Sequence, residues 1–575
     1  MNSLRMSAHG KTKQSPDYHV HLRRGVLLQR EASREFYRAL TCAKKAAAGG
    51  RAEMAVEWCR YGATVAWRSN PGFFYCHEME QLLSQIGRNY GKRVTNPSPA
   101  TGAPNRFLHV MTTAYERGGH TRAVSRWIET CAQHAPSEHH SILISKQWDT
   151  PLPTWLTRSA QRNGGELFQL PPMPSWLQTA AEIRAKSFEF DVIVLHTHPN
   201  DPLANLAFYD QPRPVIFFNH ADHAFTLGMD VARVIANIRP TGHDLSSRLR
   251  AEPPRKVLLP IPLLDDRSFL WDKADARRKL GLPVDAPIAL TIGEPFKFRP
   301  ALGYSFPAAM QSICNADPRV LVIAVGISES EQWGELKRST GGRFRPVGVV
   351  VDPGILELYY SAADVYLDCF PCGSLTSVLD AARHALPVQR LNNSYLPLLW
   401  LDDLALDSVV TGAPNQSDYV AGVLQWLQWP ESKRSELGGR LRAAVLQEHC
   451  GASWKTKWLD SAVNALSAPC EDPVQSRRER LKAEQDRYLG LAGLEWVDQP
   501  VSMFVAVAVL GMDEVHRRIR ISGVLRSVKP LLFDTVHDGM ARERFLIFKE
   551  LMKTILPTTL VSVMGKMLRP ILKRL

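Results

Sequence analysis

The chain has 575 residues, 45% of them hydrophobic and 22% charged. That is the make-up of a soluble globular protein with two to four cores, and it sets aside a disordered or low-complexity chain. The net charge of +13 suits a phosphate-bearing ligand, an anionic membrane surface or nucleic acid, and does not separate them. Nine scattered cysteines, an odd number, and a basic amino-terminus without an apolar core read as reduced thiols in a cytoplasmic protein. No run reaches about 18 apolar residues, so no transmembrane helix is expected.

In chain order, residues 1–30 read as a disordered arm, and a helical hairpin region follows over 31–104. From Ser33, residues Phe36, Leu40, Ala43 and Ala47 recur at helical spacing up to Gly49-Gly50. Ala55, Cys59, Ala63 and Trp67 form a second stripe, ended by Asn70-Pro71-Gly72, and Phe73 to Ile86 reads as a third helix. A single hairpin is not a repeat array, so these helices are expected to pack on a neighbour. Tyr90 to Pro104 is linker-like in composition.

Residues 105–265 read as a Rossmann-like domain. Phe107–Met111, Ser141–Ile144, Val192–Leu195 and Val215–Phe218 are short apolar strands, and Val234–Ile238 is a further candidate. Gly118-Gly119 follows the first strand and precedes a helix over Thr121–Cys131, so backbone can approach a ligand closely there. Histidines stand where later strands end: His196-Thr197-His198, then Asn219-His220-Ala221-Asp222-His223. Ligands of open α/β sheets sit at such carboxyl ends, where histidine serves as base or ligand. His120, His220, Asp222 and His223 are the candidate bases.

Residues 266–469 read as a second Rossmann-like domain. Its first strand, Ile288–Ile292, leads into Gly293-Glu294-Pro295-Phe296-Lys297-Phe298-Arg299-Pro300. Lys297 and Arg299 bring positive charge to the end of that strand. Val320–Val325 and Arg345–Val351 are further strands. Then comes the central stretch, Ser361 to Val388: a short strand around Val365–Leu367, the turn Phe370-Pro371-Cys372-Gly373-Ser374, and a helix that Thr376 or Ser377 can cap. A loop opening into a helix amino-terminus turns several backbone N–H groups one way and favours a phosphate. Gly373, Ser374, Leu375, Thr376 and Ser377 supply that cradle. Asp380, about one turn in, can face the same ligand and accept from ribose hydroxyls. The βαβα order is the doubly wound signature. Helices over Asp418–Gln428 and Ser432–Leu466 follow, the second broken near Gly451.

Residues 470–575 read as a helical, basic extension. Val501 to Leu510 is too short to span a bilayer. Residues 551–575 carry five basic and no acidic side chains among apolar ones, which suits either an anionic membrane surface or packing on the protein.

The central stretch resembles the donor-binding half of GT-B glycosyltransferases, which have two Rossmann-like domains facing each other across a cleft. The similarity is greatest to the O-GlcNAc-transferase-like branch, through Leu367-Asp368, Gly373, Thr376-Ser377, Asp380-Ala381 and Pro387-Val388. Lys297 with Pro300 matches the family's diphosphate-contacting lysine. Gly118-Gly119 resembles the acceptor loop of bacterial polysaccharide and lipid glycosyltransferases. The resemblance implies an α/β fold of the GT-B type, with an acceptor domain followed by a nucleotide-sugar domain. It also implies transfer from a nucleotide-diphosphate sugar, a UDP-sugar above all, to a protein, lipid-linked or polysaccharide acceptor, by a hexosyl- or N-acetylhexosaminyl-transferase.

No Asp-x-Asp triplet occurs, and Cys369-x-x-Cys372 has no second pair at zinc spacing, so no metal or other cofactor is expected. Retaining members of the fold often carry two glutamates with seven residues between them. Here Cys372 and Asp380 stand at those positions, which agrees with an inverting reaction. A cytoplasmic enzyme, peripheral on the inner face of the membrane, fits these features. The competing readings are a non-catalytic scaffold on the same frame, a nucleotide-sugar epimerase, and a nucleic-acid-binding protein. No reader motif supports the last, and no nucleic acid is expected as partner.

Overall fold

The computed structural model describes residues 16–69, 71–90, 104–116, 118–147, 151–210, 213–250, 254–265, 271–300, 304–392 and 402–467. The extension 470–575, with its apolar and basic segments, lies outside the described residues.

Three helices open the chain: α1 (Pro16–Ala48), α2 (Ala52–Ser69) and α3 (His77–Tyr90). α1 therefore begins well ahead of Ser33, where the apolar periodicity starts. α3 begins at His77 and not Phe73, because Pro71-Gly72 and the buried Phe73 and Phe74 run as an extended lead-in. α1 and α2 pair through a small-residue seam in which Ala32, Phe36, Ala43, Ala55, Cys59 and Ala63 are all within 1% of full burial. The hairpin is packed on the first sheet and shares its core with Val110, Leu195 and Phe217. Polar ties reinforce the contact. Glu57 accepts from Trp176 Nε1 at 2.7 Å, and the buried Glu80 accepts from Asn205 Nδ2 and from the amides of Met229 and Asp230.

The first sheet and its helices run β1 (Arg106–Met111), α4 (Gly119–His134), β2 (His139–Ile144), α5 (Thr154–Arg162), β3 (Leu167–Gln169), α6 (Trp176–Ser187), β4 (Val192–His196), α7 (Leu203–Phe208), β5 (Val215–Asn219), β6 (Val234–Asn237), α8 (Pro240–Leu249) and β7 (Arg255–Leu258). The seven strands lie in the order β3-β2-β1-β4-β5-β6-β7, and each pair is parallel.

The second sheet runs α9 (Lys273–Lys279), β8 (Ile288–Ile292), α10 (Phe306–Ala316), β9 (Leu321–Val325), α11 (Glu331–Ser339), β10 (Phe344–Gly348), α12 (Pro353–Ala362), β11 (Val365–Leu367), α13 (Thr376–Arg383) and β12 (Val388–Gln389). Its five parallel strands are ordered β10-β9-β8-β11-β12. The near-continuous apolar strands, fully buried in β4, β5 and β9, are what sheets covered on both faces require. The α/β architecture with two Rossmann-like sheets is as expected.

In both sheets the winding reverses beside the first strand: between β1 and β4, and between β8 and β11. Such switch points open a crevice at the carboxyl ends of the strands. The chain then returns through α14 (Leu404–Asp407), α15 (Gln416–Gln428), α16 (Glu431–His449) and α17 (Gly451–Trp454). The break expected near Gly451 is present, with that residue at φ +59°. Trp454 is fully buried against Trp127 of α4, with ring centroids 5.7 Å apart, and its Nε1 donates to the Pro260 carbonyl at 2.7 Å. The last helices are thereby pinned to the first domain. Among the described residues no helix is long and apolar enough to cross a membrane.

Candidate active site at the junction of the two sheets

The loop after β11 is built around Asp368. This carboxylate is buried and accepts from both the backbone N–H and the hydroxyl of Ser374, at 2.8 and 2.7 Å. Tyr419 of α15 donates to the Asp368 carbonyl at 2.9 Å. The turn 370–374 is thus fixed from below, and α13 begins directly after it. Ser374 is spent on holding the loop.

Neither Thr376 nor Ser377 caps α13, contrary to expectation. Leu375 holds the cap position without a side-chain hydrogen bond, because Ser377 Oγ donates instead to the Ile292 carbonyl at the end of β8. The first amides of α13 consequently have no side-chain acceptor, which leaves them to an anion.

Lys297 stands on a 3₁₀ turn, Pro295–Phe298, two residues after the end of β8. Its ammonium donates to the Gly373 carbonyl at 3.1 Å, beside the mouth of α13. Burial works against its charge, but the thiols of Cys369 and Cys372 and the carboxylates of Asp368 and Glu294 hold its pKa above the ordinary lysine value. The cation is therefore kept charged at neutral pH. Arg299, on the same loop, is exposed.

Opposite this loop lies the one after β1. Gly118 has φ +112°, a conformation that favours glycine. At Gly119, a Cβ would come within 2.2 Å of Thr376 Oγ1. The carboxyl ends of the two sheets therefore face each other, with Gly118-Gly119 against the amino-terminus of α13. Arg126, two turns along α4, makes two bonds to Asp380, at 2.8 and 3.0 Å, across this junction. Burial pushes Asp380 up, but Arg126 and Arg383 outweigh it and keep the carboxylate ionised. Asp380 is thus in place beside the cradle but already paired. Sequence inspection missed Arg126. Its signal was a basic pair, Arg122 and Arg126, at i, i+4 on the helix after Gly-Gly.

The candidate bases divide into two groups. His120 and His220 lie together, with ring centroids 4.3 Å apart. His120 Nε2 faces the His196 carbonyl at 2.9 Å, so that nitrogen carries the proton, and its buried Nδ1 has no hydrogen-bond partner. Burial and His198 pull His120 down to about 4. Burial, His120 and His198 hold His220 well below the usual histidine range. Both are neutral imidazoles at pH 7.

Asp222 is different. Arg239 donates to both its oxygens, at 2.6 and 3.0 Å, and His223 Nδ1 lies 3.3 Å away. Burial raises the Asp222 pKa, but Arg239 overcomes this and holds it far below the usual carboxylate range. Arg239 also donates to Asp402 in the second half of the chain, at 3.2 Å, so Asp222 belongs to a buried ion network that ties the halves together.

Among the described residues, one group has metal-ligand atoms within 4.8 Å of one another: Cys131, Glu138 and His140. Lys455 places its ammonium 2.9 Å from Glu138, where it competes with any cation. This group lies at the start of β2, away from the mouth of α13.

No family model matches the chain, and no curated protein sequence matches it. Solved structures are similar at low identity. A mutant O-GlcNAc transferase of Thermobaculum terrenum is 15% identical, with 82% of this chain and 85% of that one covered, at a TM-score of 0.45. Anabaena HepE in complex with UDP and glucose is 12% identical, with 63% of this chain and all of that one covered, at a TM-score of 0.48. Sucrose-phosphate synthase of Thermosynechococcus elongatus is 15% identical over 66% of this chain and all of that one, at a TM-score of 0.45.

Proposed function

We propose that the chain is a metal-independent glycosyltransferase that moves a sugar from a nucleotide-diphosphate sugar, a UDP-sugar in the first instance, to an acceptor held by the first domain. The observation that carries this reading is the uncapped amino-terminus of α13, with the Lys297 ammonium beside it, at a junction where both sheets present their switch points. Helix amides and a fixed cation are the means by which a site stabilises a leaving diphosphate without a metal. In this reading Gly373, Leu375, Thr376 and Ser377 line the phosphate cradle, and Ser374 holds its shape. Asp380 receives the ribose, and Arg299 adds long-range positive charge. One of the two neutral imidazoles, His120 or His220, takes the acceptor proton in a single inverting displacement.

Two consequences are open to measurement. Asp380→Asn keeps the size of the side chain and removes its charge. It is expected to weaken UDP binding by roughly 10- to 100-fold, the cost of hydrogen bonds to a charged group. Unchanged affinity by calorimetry removes Asp380 from the donor site. Gly119→Ala introduces a methyl where Thr376 Oγ1 stands, so either Thr376 turns its hydroxyl out of the cradle or the sheets stand further apart. Turnover is expected to fall on the order of 10²-fold, as for a misplaced reacting group, with the melting temperature preserved. Full activity in Gly119→Ala would mean that this closed approach is not the reactive one.

The test of the function itself is nucleotide release from a panel of nucleotide sugars in EDTA. Slow release from one sugar, stimulated by an acceptor, supports the proposal. Release only with added divalent metal overturns metal independence. Conversion of the sugar without release of nucleotide favours an epimerase.

A further inference from the structure

Four histidines cross the first sheet in one unbroken line. The register makes this geometry. His140 of β2 lies opposite Phe107, His109 of β1 lies two residues on, and His196 of β4 lies opposite Met111, two residues on again. His220 lies two residues beyond Phe218 of β5. Each step moves one strand across and two residues forward on the same face, through three interstrand spacings of about 4.8 Å each.

The rings close the gaps. His140 Nδ1 is 2.9 Å from His109 Nε2, His109 Nδ1 is 2.9 Å from His196 Nε2, and His196 Nδ1 is 3.0 Å from His220 Nε2. His140, His109 and His196 are fully buried. Trp127 lies edge-on over His109 and His196, and Phe107 stacks on His140 at 4.6 Å. Direct bonding continues at the far end, where His140 Nε2 is 3.4 Å from Glu138.

A carboxylate only accepts hydrogen bonds, so His140 must carry its proton on Nε2. Its Nδ1 must then accept from His109 Nε2–H, and the same logic passes to His196 and His220. The anion at the edge of β2 thus sets every tautomer, and His220 is left with an unprotonated Nδ1 at the cleft.

We infer that this line is a proton relay, in which His220 is the base and His196, His109 and His140 carry the charge it receives to Glu138. The inference rests on the transferase reading for the source of the proton. As the acceptor oxygen bonds to the sugar carbon and the bond from sugar to diphosphate breaks, the acceptor O–H proton moves to His220 Nδ1. His220 Nε2–H passes to His196 Nδ1, His196 Nε2–H to His109 Nδ1, and His109 Nε2–H to His140 Nδ1. One positive charge then rests on His140 beside the Glu138 carboxylate, and the other three rings are neutral with the opposite tautomer. When the junction opens, the proton runs back and leaves through His220 Nδ1, which restores the starting set.

The charged and titratable groups facing the line are Glu138, Cys131, Lys455 and His139 at the His140 end, and His120 and His198 at the His220 end. Burial together with neighbouring imidazoles holds His109 and His196 well below the ordinary histidine range, which suits a resting line of neutral rings.

The test needs no substrate. Full-length protein labelled with ¹⁵N-histidine reports each tautomer by long-range ¹H–¹⁵N correlation, with resonances assigned from single His→Gln variants. The expected result at pH 7 is four neutral Nε2–H rings that do not titrate between pH 6 and 8, and a mixture of tautomers in Glu138→Ala and Glu138→Gln. A ring with its proton on Nδ1 in the wild type, or a set indifferent to both Glu138 variants, overturns the relay. So does zinc bound stoichiometrically at Cys131, Glu138 and His140. Once a donor is known, Glu138→Ala is expected to lower kcat and leave the donor KM unchanged, whereas a merely structural role moves neither selectively. Absence of any donor defeats the transferase reading and leaves the tautomer result standing.

Discussion

Lys297→Ala is expected to lower turnover of the nucleotide sugar by about 10²- to 10³-fold, the range seen when one preorganised donor to a developing anion is removed. The side chain is placed for this by two short-range features. The turn Pro295–Phe298 follows β8 after only Gly293 and Glu294, and the Lys297 ammonium is held on the Gly373 carbonyl at 3.1 Å. Its charge is kept by Asp368, Glu294 and the two thiols against the cost of burial. Negative charge grows on the diphosphate as the sugar leaves, so a fixed cation there acts on the transition state more than on the bound donor. The loss is therefore expected in kcat, with a smaller change in donor affinity. Lys297→Arg keeps the charge but not the point-like geometry, and is expected to recover part of the rate. Arg299→Ala, exposed on the same loop, is the matched control with a modest effect. Steady-state kinetics on the three variants separate these outcomes. Equal effects of Lys297→Ala and Arg299→Ala would reduce both to long-range electrostatics.

Arg239→Met is expected to destabilise the protein by roughly 3–5 kcal/mol, the cost of leaving a buried charge without its partner. Arg239 is 1% exposed and Asp222 is 2% exposed, while Asp402 accepts from both Arg239 and the Thr241 amide. The sign of the pH dependence gives a sharper check. In the wild type the Asp222 pKa is depressed in the fold. Its contribution is therefore complete above the unfolded value of about 3.9, and is lost as pH falls towards the folded value. Without Arg239 the largest influence that lowers the Asp222 pKa is gone, so burial, opposed by the weaker contact with His223, raises the folded pKa. The variant then gains stability relative to wild type as pH is lowered from 7 towards 5, the reverse of the usual acid response. Urea unfolding at the two pH values measures this. A constant difference between wild type and variant would place the damage in packing and not in the stranded carboxylates.

Much of the frame could be read from the sequence because its signals are local. Short apolar runs with Gly- or Pro-bearing ends gave the strands, and the turn chemistry around Gly373 located the start of α13. Gly451 marked the break before Trp454. The errors have equally physical causes. The capping expectation for Thr376 or Ser377 failed because the competing acceptor, the Ile292 carbonyl, belongs to a strand 85 residues away. Arg126 and Arg239 were invisible as functional groups because each acquires its meaning from a carboxylate on another element, Asp380 and Asp222 respectively. The histidine line was hidden for the same reason. His109 within an apolar strand was a visible oddity, but only the register of four strands joins it to His140 and His196. Local propensity reaches elements, whereas sites depend on their pairing.

The central claim is that α13 and Lys297 form the diphosphate site. It is tested most directly by calorimetric titration of the purified full-length chain with UDP in EDTA, beside Lys297→Ala and Asp380→Asn. The account predicts saturable one-to-one binding in the absence of metal, weakened in both variants. Folded protein that binds no nucleoside diphosphate, or binds it equally well in wild type and both variants, contradicts it.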